Sequence, residues 1–121
     1  MNRLLTAIAH PAVSILGHPT GRLLLSREGY PIDHKAMIDA CAEHKVAIEI
    51  NASPYRLDMD WTWISYAQSQ GVLLSINPDA HSTEGIKDIK YGVYAARKGG
   101  LSPNNCLNTM SAAEFQVWMH T

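Results

Sequence analysis

No apolar run in this sequence approaches the roughly 18 residues needed to cross a bilayer. The opening Met1-Asn2-Arg3-Leu4-Leu5 stretch meets His10-Pro11 too soon to make a signal-peptide core, so a cytoplasmic location is the expectation. An excess of charge of one sign is missing as well. Ten Lys and Arg stand against eleven Asp and Glu, a formal net charge of -1, which provides no clustered cationic footprint for tight non-specific nucleic-acid binding. A locally held phosphate substrate remains compatible with that balance. Cysteine is scarce. Cys41 and Cys106 lie far apart and outside any CxxC pattern, so idle thiols are expected rather than a disulfide or a metal site. Internal repeats, low-complexity tracts and linkers are also lacking.

What is present suits one soluble globular domain over residues 1–121: 46% of residues are apolar and 17% charged. Helix 2–9 is expected to end at His10-Pro11, because proline disfavours helical geometry in the residue before it. A strand over Val13–Leu16 then enters the loop Gly17–Arg22, and 23–32 reads as irregular. Asp33 caps a helix whose face carries Met37, Ala40, Cys41 and His44. A second strand, Val46–Asn51, precedes the loop 52–57. Asp58 or Asp60 caps a helix with Trp61, Ile64 and Ala67 that stops at Gly71. The third strand, Val72–Asn77, leads into Pro78-Asp79-Ala80-His81. Thr83 opens a helix with Ile86, Ile89, Val93 and Ala96 on one face, and Gly99-Gly100 end it. Ser111 and Glu114 form a capping box for a last short helix with Phe115 and Trp118.

Strand–helix units in succession predict an α/β fold with three to four parallel strands and flanking helices. In such sheets the chemistry gathers at loops after the carboxyl ends of strands. His18, Glu49, Asn51, Asp79 and His81 all fall at that rim. If the segment leaving the third strand is extended, Asp79 and His81 point to one side and could share an ion; otherwise Asp79 caps the next helix and His81 is exposed. A carboxylate with imidazoles suits zinc, manganese or iron, which acidify a bound water. His18 is either a ligand or a turn-stabilising residue. Glu49 is a ligand, a support for a ligand His, or half of an ion pair with Arg22 or Arg56. Asn51 supports the rim or ends the strand. Arg22 holds a substrate phosphate or pairs with Glu49 or Glu28. His10, His34, His44 and the terminal His120 are expected to be structural or solvent-facing, and Trp61, Trp63 and Trp118 to pack helices. Arg97-Lys98 complements a helix dipole.

Ile15–Leu24 (with Gly17-His18-Pro19), Ile48–Ala52 and Ile76–Thr83, followed by Tyr91-Gly92-Val93, Ala95–Gly99 and Leu107-Asn108-Thr109, resemble the later motifs of PHP (polymerase and histidinol phosphatase) domains. The likeness is strongest to the PHP domain of bacterial family X DNA polymerases. It implies a C-terminal portion of a distorted (βα) barrel that holds several divalent metal ions, commonly manganese or zinc. It makes His18, Asp79 and His81 metal ligands and places Glu49 beside the cluster. Pro78 stands where the family often has serine. The implied activity is a 3′–5′ exonuclease and phosphatase of DNA ends. The family's opening His-x-His motif and further His and Glu ligands have no counterpart before His18. An incomplete metal cluster is therefore expected, with the rest of the barrel, or a second copy meeting exposed sheet edges, as partner. Two other readings are a small-molecule phosphatase of the histidinol-phosphatase kind and a non-catalytic fold remnant serving as an interaction piece.

Overall fold

The computed structural model describes residues 1–119, so His120 lies outside the described residues. Helix α1 (Asn2–Ala9) ends as expected at His10, whose backbone is extended. His10-Pro11 turns the chain so that the first strand, β1, comprises only Ile15–Leu16. Strand β2 (Ala47–Asn51) and strand β3 (Leu74–Asn77) are also shorter at their starts than the apolar runs suggest. The three strands form one parallel sheet in sequential order, with Ile15 beside Ala47, Ile48 beside Leu74 and Asn51 beside Asn77. An α/β fold follows, and no helix among the described residues is long and apolar enough to cross a membrane.

Helix α2 (His34–His44) joins β1 to β2 and is capped by the Asp33 side chain, which accepts from the Ala36 N–H at 3.0 Å. Between β2 and β3 the expected single helix is split. A 3-10 turn, Trp61–Trp63, precedes α3 (Ile64–Ser69), and Asp60 rather than Asp58 is the cap, accepting from the Thr62 N–H. After β3 the helix expected from Thr83 is again divided: a 3-10 segment, Glu84–Asp88, runs into α4 (Ile89–Lys98). The expected face shifts with it. Ile86 and Ile89 are exposed, whereas Gly92 and Ala96 are buried. A Cβ at Gly92 would lie 2.5 Å from Ile76 and 2.6 Å from Ala52, so α4 crosses the sheet too closely for any larger residue.

Strand alternation sorts the sheet into two faces. Ile48, Ile50, Leu74 and Ile76 point toward the helices and pack with Ile8, Met37, Ile38, Met59 and Ile64 in the apolar core. Burial of such side chains, at about 25 cal/mol per Å², is the main force holding helices to sheet. Cys41 and Cys106 are free and buried, and burial pushes the Cys41 thiol up to about 12, consistent with an inert structural role. On the opposite face stand Glu49, Asn51, Ser75 and Asn77.

The expectation of two open sheet edges is corrected on one side. The Asn108 carboxamide accepts from the Ile76 N–H and donates to the Ile76 carbonyl, both at 2.8 Å, and Leu74 bridges Cys106. A side chain thus stands in for a neighbouring strand along β3. The outer edge of β1 has no such stand-in among the hydrogen bonds of the described residues. The Ser111–Glu114 capping box forms as predicted, with reciprocal bonds of 2.9 and 3.1 Å at the start of α5 (Ala112–Met119).

Candidate functional site

Three loops after strand ends build the site. The first, from Gly17 to Arg22, wraps around one buried carboxylate. Asp58, fully buried, accepts from the Thr20 N–H at 3.0 Å, the Thr20 hydroxyl at 2.9 Å and the Gly21 N–H at 2.9 Å. Gly21 adopts a left-handed φ of 67°, and a Cβ there would strike the Tyr30 ring at 2.5 Å. Those bonds fix where His18 leaves the strand. Composition placed Asp58 among possible helix caps; its actual work is to hold this loop, and no local pattern distinguishes the two.

The second loop carries Arg56 and is held by Arg22. The Arg22 guanidinium donates to the Arg56 carbonyl at 2.9 Å, to the Leu57 carbonyl, and to Asp60 at 3.0 Å. The expected pairing of Arg22 with Glu49 or Glu28 is therefore replaced by Asp60. Burial alone would raise the Asp60 carboxyl, but bonds from Thr62 and Arg22 outweigh it and hold the group below the ordinary carboxylate range.

At the rim, His18 and Asp79 face each other across the end of β2. Each sits two residues beyond its strand, and each has a left-handed backbone, with φ of 45° and 55°. For residues other than glycine that conformation costs about 1 kcal/mol or more and is concentrated at functional sites. The His18 Nε2 lies 4.0 Å from the Asp79 Oδ2. Between them is the buried Asn51 amide. Its Oδ1 accepts from the Ser53 N–H at 3.0 Å, which turns its Nδ2 toward Asp79 Oδ2 (3.2 Å), Glu49 Oε1 (3.3 Å) and His18 Nδ1 (3.4 Å). Two N–H groups thus face two carboxylate oxygens and a ring nitrogen.

Glu49 forms neither of its expected arginine pairs. It accepts from the Asn77 amide at 2.8 Å and from the His18 backbone N–H at 3.1 Å. Asn77 is in turn fixed by the Ser75 hydroxyl at 2.9 Å. Glu49 and Asn51 therefore support the rim from beneath. The nearest cation is Arg56, whose Nε is 3.7 Å from Asp79 Oδ2.

His81 does not follow the extended geometry assumed for Asp79 and His81. The left-handed turn at Asp79 breaks it, and the exposed His81 ring has its Nδ1 2.9 Å from the Asp79 carbonyl. The alternative helix cap is not seen either, since the Thr83 end of the following segment has no side-chain cap. Of the residues nominated from sequence, the structure gathers His18, Glu49, Asn51 and Asp79; His81 stands at the margin and Arg22 one layer behind.

Does this donor set suit a divalent metal? Two ligands about 2.0–2.2 Å from a tetrahedral zinc ion lie about 3.4 Å apart, so the 4.0 Å between His18 Nε2 and Asp79 Oδ2 must narrow by about half an ångström for the two to share one ion. Imidazole and carboxylate are the right donor types. No group of three His, Cys, Asp or Glu residues arranged around one point occurs among the described residues. The chain's own donors fit one side of a metal centre.

His34, outside this rim, stacks on Trp63 with ring centroids 4.9 Å apart and planes within 3°. Burial lowers its pKa below the usual value, against opposing pulls from Asp58, Asp60 and Asp33. A histidine lowered in the folded state binds fewer protons there than when unfolded. Its contribution to stability is full above the unfolded value, about 6.5, and declines as pH falls through the folded one. Urea midpoints measured across that window should fall toward acid in the wild type and fall less in His34→Phe. An identical slope in both would remove His34 as the cause.

No protein-family model matches the chain. It is 43% identical over 119 residues to the DNA polymerase/3'-5' exonuclease PolX of Bacillus subtilis (strain 168), a match covering 98% of this chain and 21% of that protein. Proteins named Probable phosphatase in Thermoanaerobacter sp. (strain X514) and Thermoanaerobacter pseudethanolicus (strain ATCC 33223 / 39E) are each 26% identical over 112 residues, 88% of this chain and 43% of theirs. The chain therefore spans about a fifth of the polymerase and less than half of each phosphatase.

Proposed function

We propose that this chain, similar along nearly its whole length to part of a bacterial PolX, supplies one side of a metal-dependent phosphoesterase centre. In its full-length setting that centre trims or dephosphorylates DNA 3′ ends. The observation that carries the reading is the His18 Nε2–Asp79 Oδ2 pair, held on the strand-end rim by Asn51, Glu49 and Asn77. His18 and Asp79 would hold the ion, either manganese or zinc, and His81 would join them by turning its ring in from the margin of the rim. Once bound, such an ion neutralises phosphate charge and lowers the pKa of a water so that it can attack phosphorus.

The protein's own part is placement. Asn51 orients the Asp79 carboxylate, and Glu49 anchors the His18 backbone, so neither donor needs to be gathered when the ion arrives. A small-molecule phosphatase is the second reading, favoured by the similarity to the two Thermoanaerobacter proteins.

The test is metal titration followed by phosphate release from a 3′-phosphorylated oligonucleotide and from p-nitrophenyl phosphate, with EDTA as control. Wild type should bind manganese or zinc and release phosphate above the EDTA background, preferring the oligonucleotide; Asp79→Asn should do neither. Absence of both binding and release, even at high protein concentration, would reject the reading. Binding without release would leave a metal-holding remnant that has lost turnover.

A further inference from the structure

We infer that Arg56 is the oxyanion-binding residue of this rim, receiving a non-bridging oxygen pair of a phosphate monoester or diester, with Arg22 as its positioning residue. The inference rests on the phosphoesterase reading for its biological meaning, but its geometry stands separately. The two arginines hold each other reciprocally. Arg22 Nε donates to the Arg56 carbonyl at 2.9 Å, and Arg56 Nη1 donates to the Arg22 carbonyl at 3.3 Å. Beyond that, their fates differ. All three Arg22 nitrogens are committed, to Arg56 O, Leu57 O and Asp60, and none faces the rim.

The Arg56 guanidinium has one hydrogen bond and one loose ion contact, its Nε 3.7 Å from Asp79 Oδ2, too long for a hydrogen bond. A guanidinium carries five N–H donors in a planar fork that matches two oxygens of a phosphate. Most of that fork is uncommitted beside the His18–Asp79 pair. The side chain is also largely shielded, 23% exposed, so a charge it meets is less screened than at an open surface.

The charge balance of the rim points the same way. Glu49 and Asp79 bring two carboxylates near His18, and Arg56 is the cation beside one of them, Asp79. A phosphate approaching this rim is repelled by both carboxylates, and Arg56 is the side chain placed to offset that. Binding to the metal-free chain should accordingly be weak, in the millimolar range, and should depend on Arg56.

Inorganic phosphate titrated in EDTA into the arginine-15N-labelled chain reads this directly. The Arg56 Nε–H resonance, assigned by its loss in Arg56→Gln, should shift saturably, while that of Arg22 should stay nearly still. Arg56→Gln should weaken phosphate binding about tenfold, and Arg56→Lys should recover only part of it because an ammonium lacks the fork. Unchanged binding in Arg56→Gln, or no saturable shift in the wild type, would overturn the inference. Phosphate binding at Arg56 without any metal-dependent release would keep the inference and sink the phosphoesterase reading. Metal-dependent release indifferent to Arg56→Gln would do the reverse.

Discussion

Asp58→Ala is expected to cost roughly 3–5 kcal/mol, lowering the thermal midpoint by about 10 °C or more. The carboxylate is fully buried and satisfies the Thr20 N–H, the Thr20 hydroxyl and the Gly21 N–H. Removing it strands those donors where water does not reach, and each unsatisfied group costs about 1–3 kcal/mol. Asp58→Asn should be little better, because it turns an N–H toward donors that need an acceptor. The informative control is Asp60→Ala. That carboxylate caps the Trp61 turn and pairs with Arg22, but its side chain is a third exposed, so its loss should cost only about 1 kcal/mol. Circular-dichroism melts of the three variants decide the matter. Equal losses for Asp58→Ala and Asp60→Ala would mean that the buried carboxylate does not organise the Gly17–Arg22 loop.

A second large effect is expected at Asn51. Asn51→Asp replaces the shared donor of the rim with a third carboxyl facing Glu49 and Asp79, at a cost of about 2–4 kcal/mol near neutral pH. The sign of its pH dependence follows from linkage. Like charges and burial raise the introduced carboxyl's folded pKa above its unfolded value of about 3.9. The penalty is full above the folded value, fades as pH falls through it, and is gone below the unfolded one. Urea midpoints of variant and wild type should therefore converge toward about pH 4 and separate toward about pH 7. A constant gap would show that packing, not charge, explains the loss, and Asn51→Leu would then match Asn51→Asp.

Much of the backbone was legible in the sequence. The helix after Asp33, the Ser111–Glu114 box, the three strands and their parallel pairing all follow from local signals: a capping side chain, a reciprocal bond, short apolar runs between helices. The caps need only neighbours within a few residues, and the pairing follows from the order in which strands and helices alternate. The segments misjudged are those where long-range contacts overrule periodicity. Ile86 and Ile89 continue the apolar spacing of Val93 and Ala96, yet they stand on a 3-10 turn and at the start of α4, exposed. Helix α4 is set on the sheet by the absence of a Cβ at Gly92, which hydrophobic spacing does not register.

The candidate site divides in the same way. Placing His18, Glu49, Asn51 and Asp79 on one rim required only strand order and the rule that loops follow carboxyl ends. Residue types alone determined that an imidazole and a carboxylate would meet there. Their partners were decided by tertiary structure. Arg22 and Arg56 are both arginines near the same loop, and only the fold commits Arg22 to backbone carbonyls and Asp60 while leaving the Arg56 fork facing Asp79. Asp58 and Asp60 are equally plausible caps in a string of letters, and burial among Thr20 and Gly21 separates them. The left-handed turn at Asp79 likewise sent His81 away from the direction that extended spacing implies. The physical reason is common to the first two: chemical type and local rhythm belong to the chain, whereas which donor meets which acceptor depends on groups more than thirty residues apart being brought within about 3 Å. At Asp79 it is a single backbone turn, set where the chain leaves the sheet, that residue type does not fix.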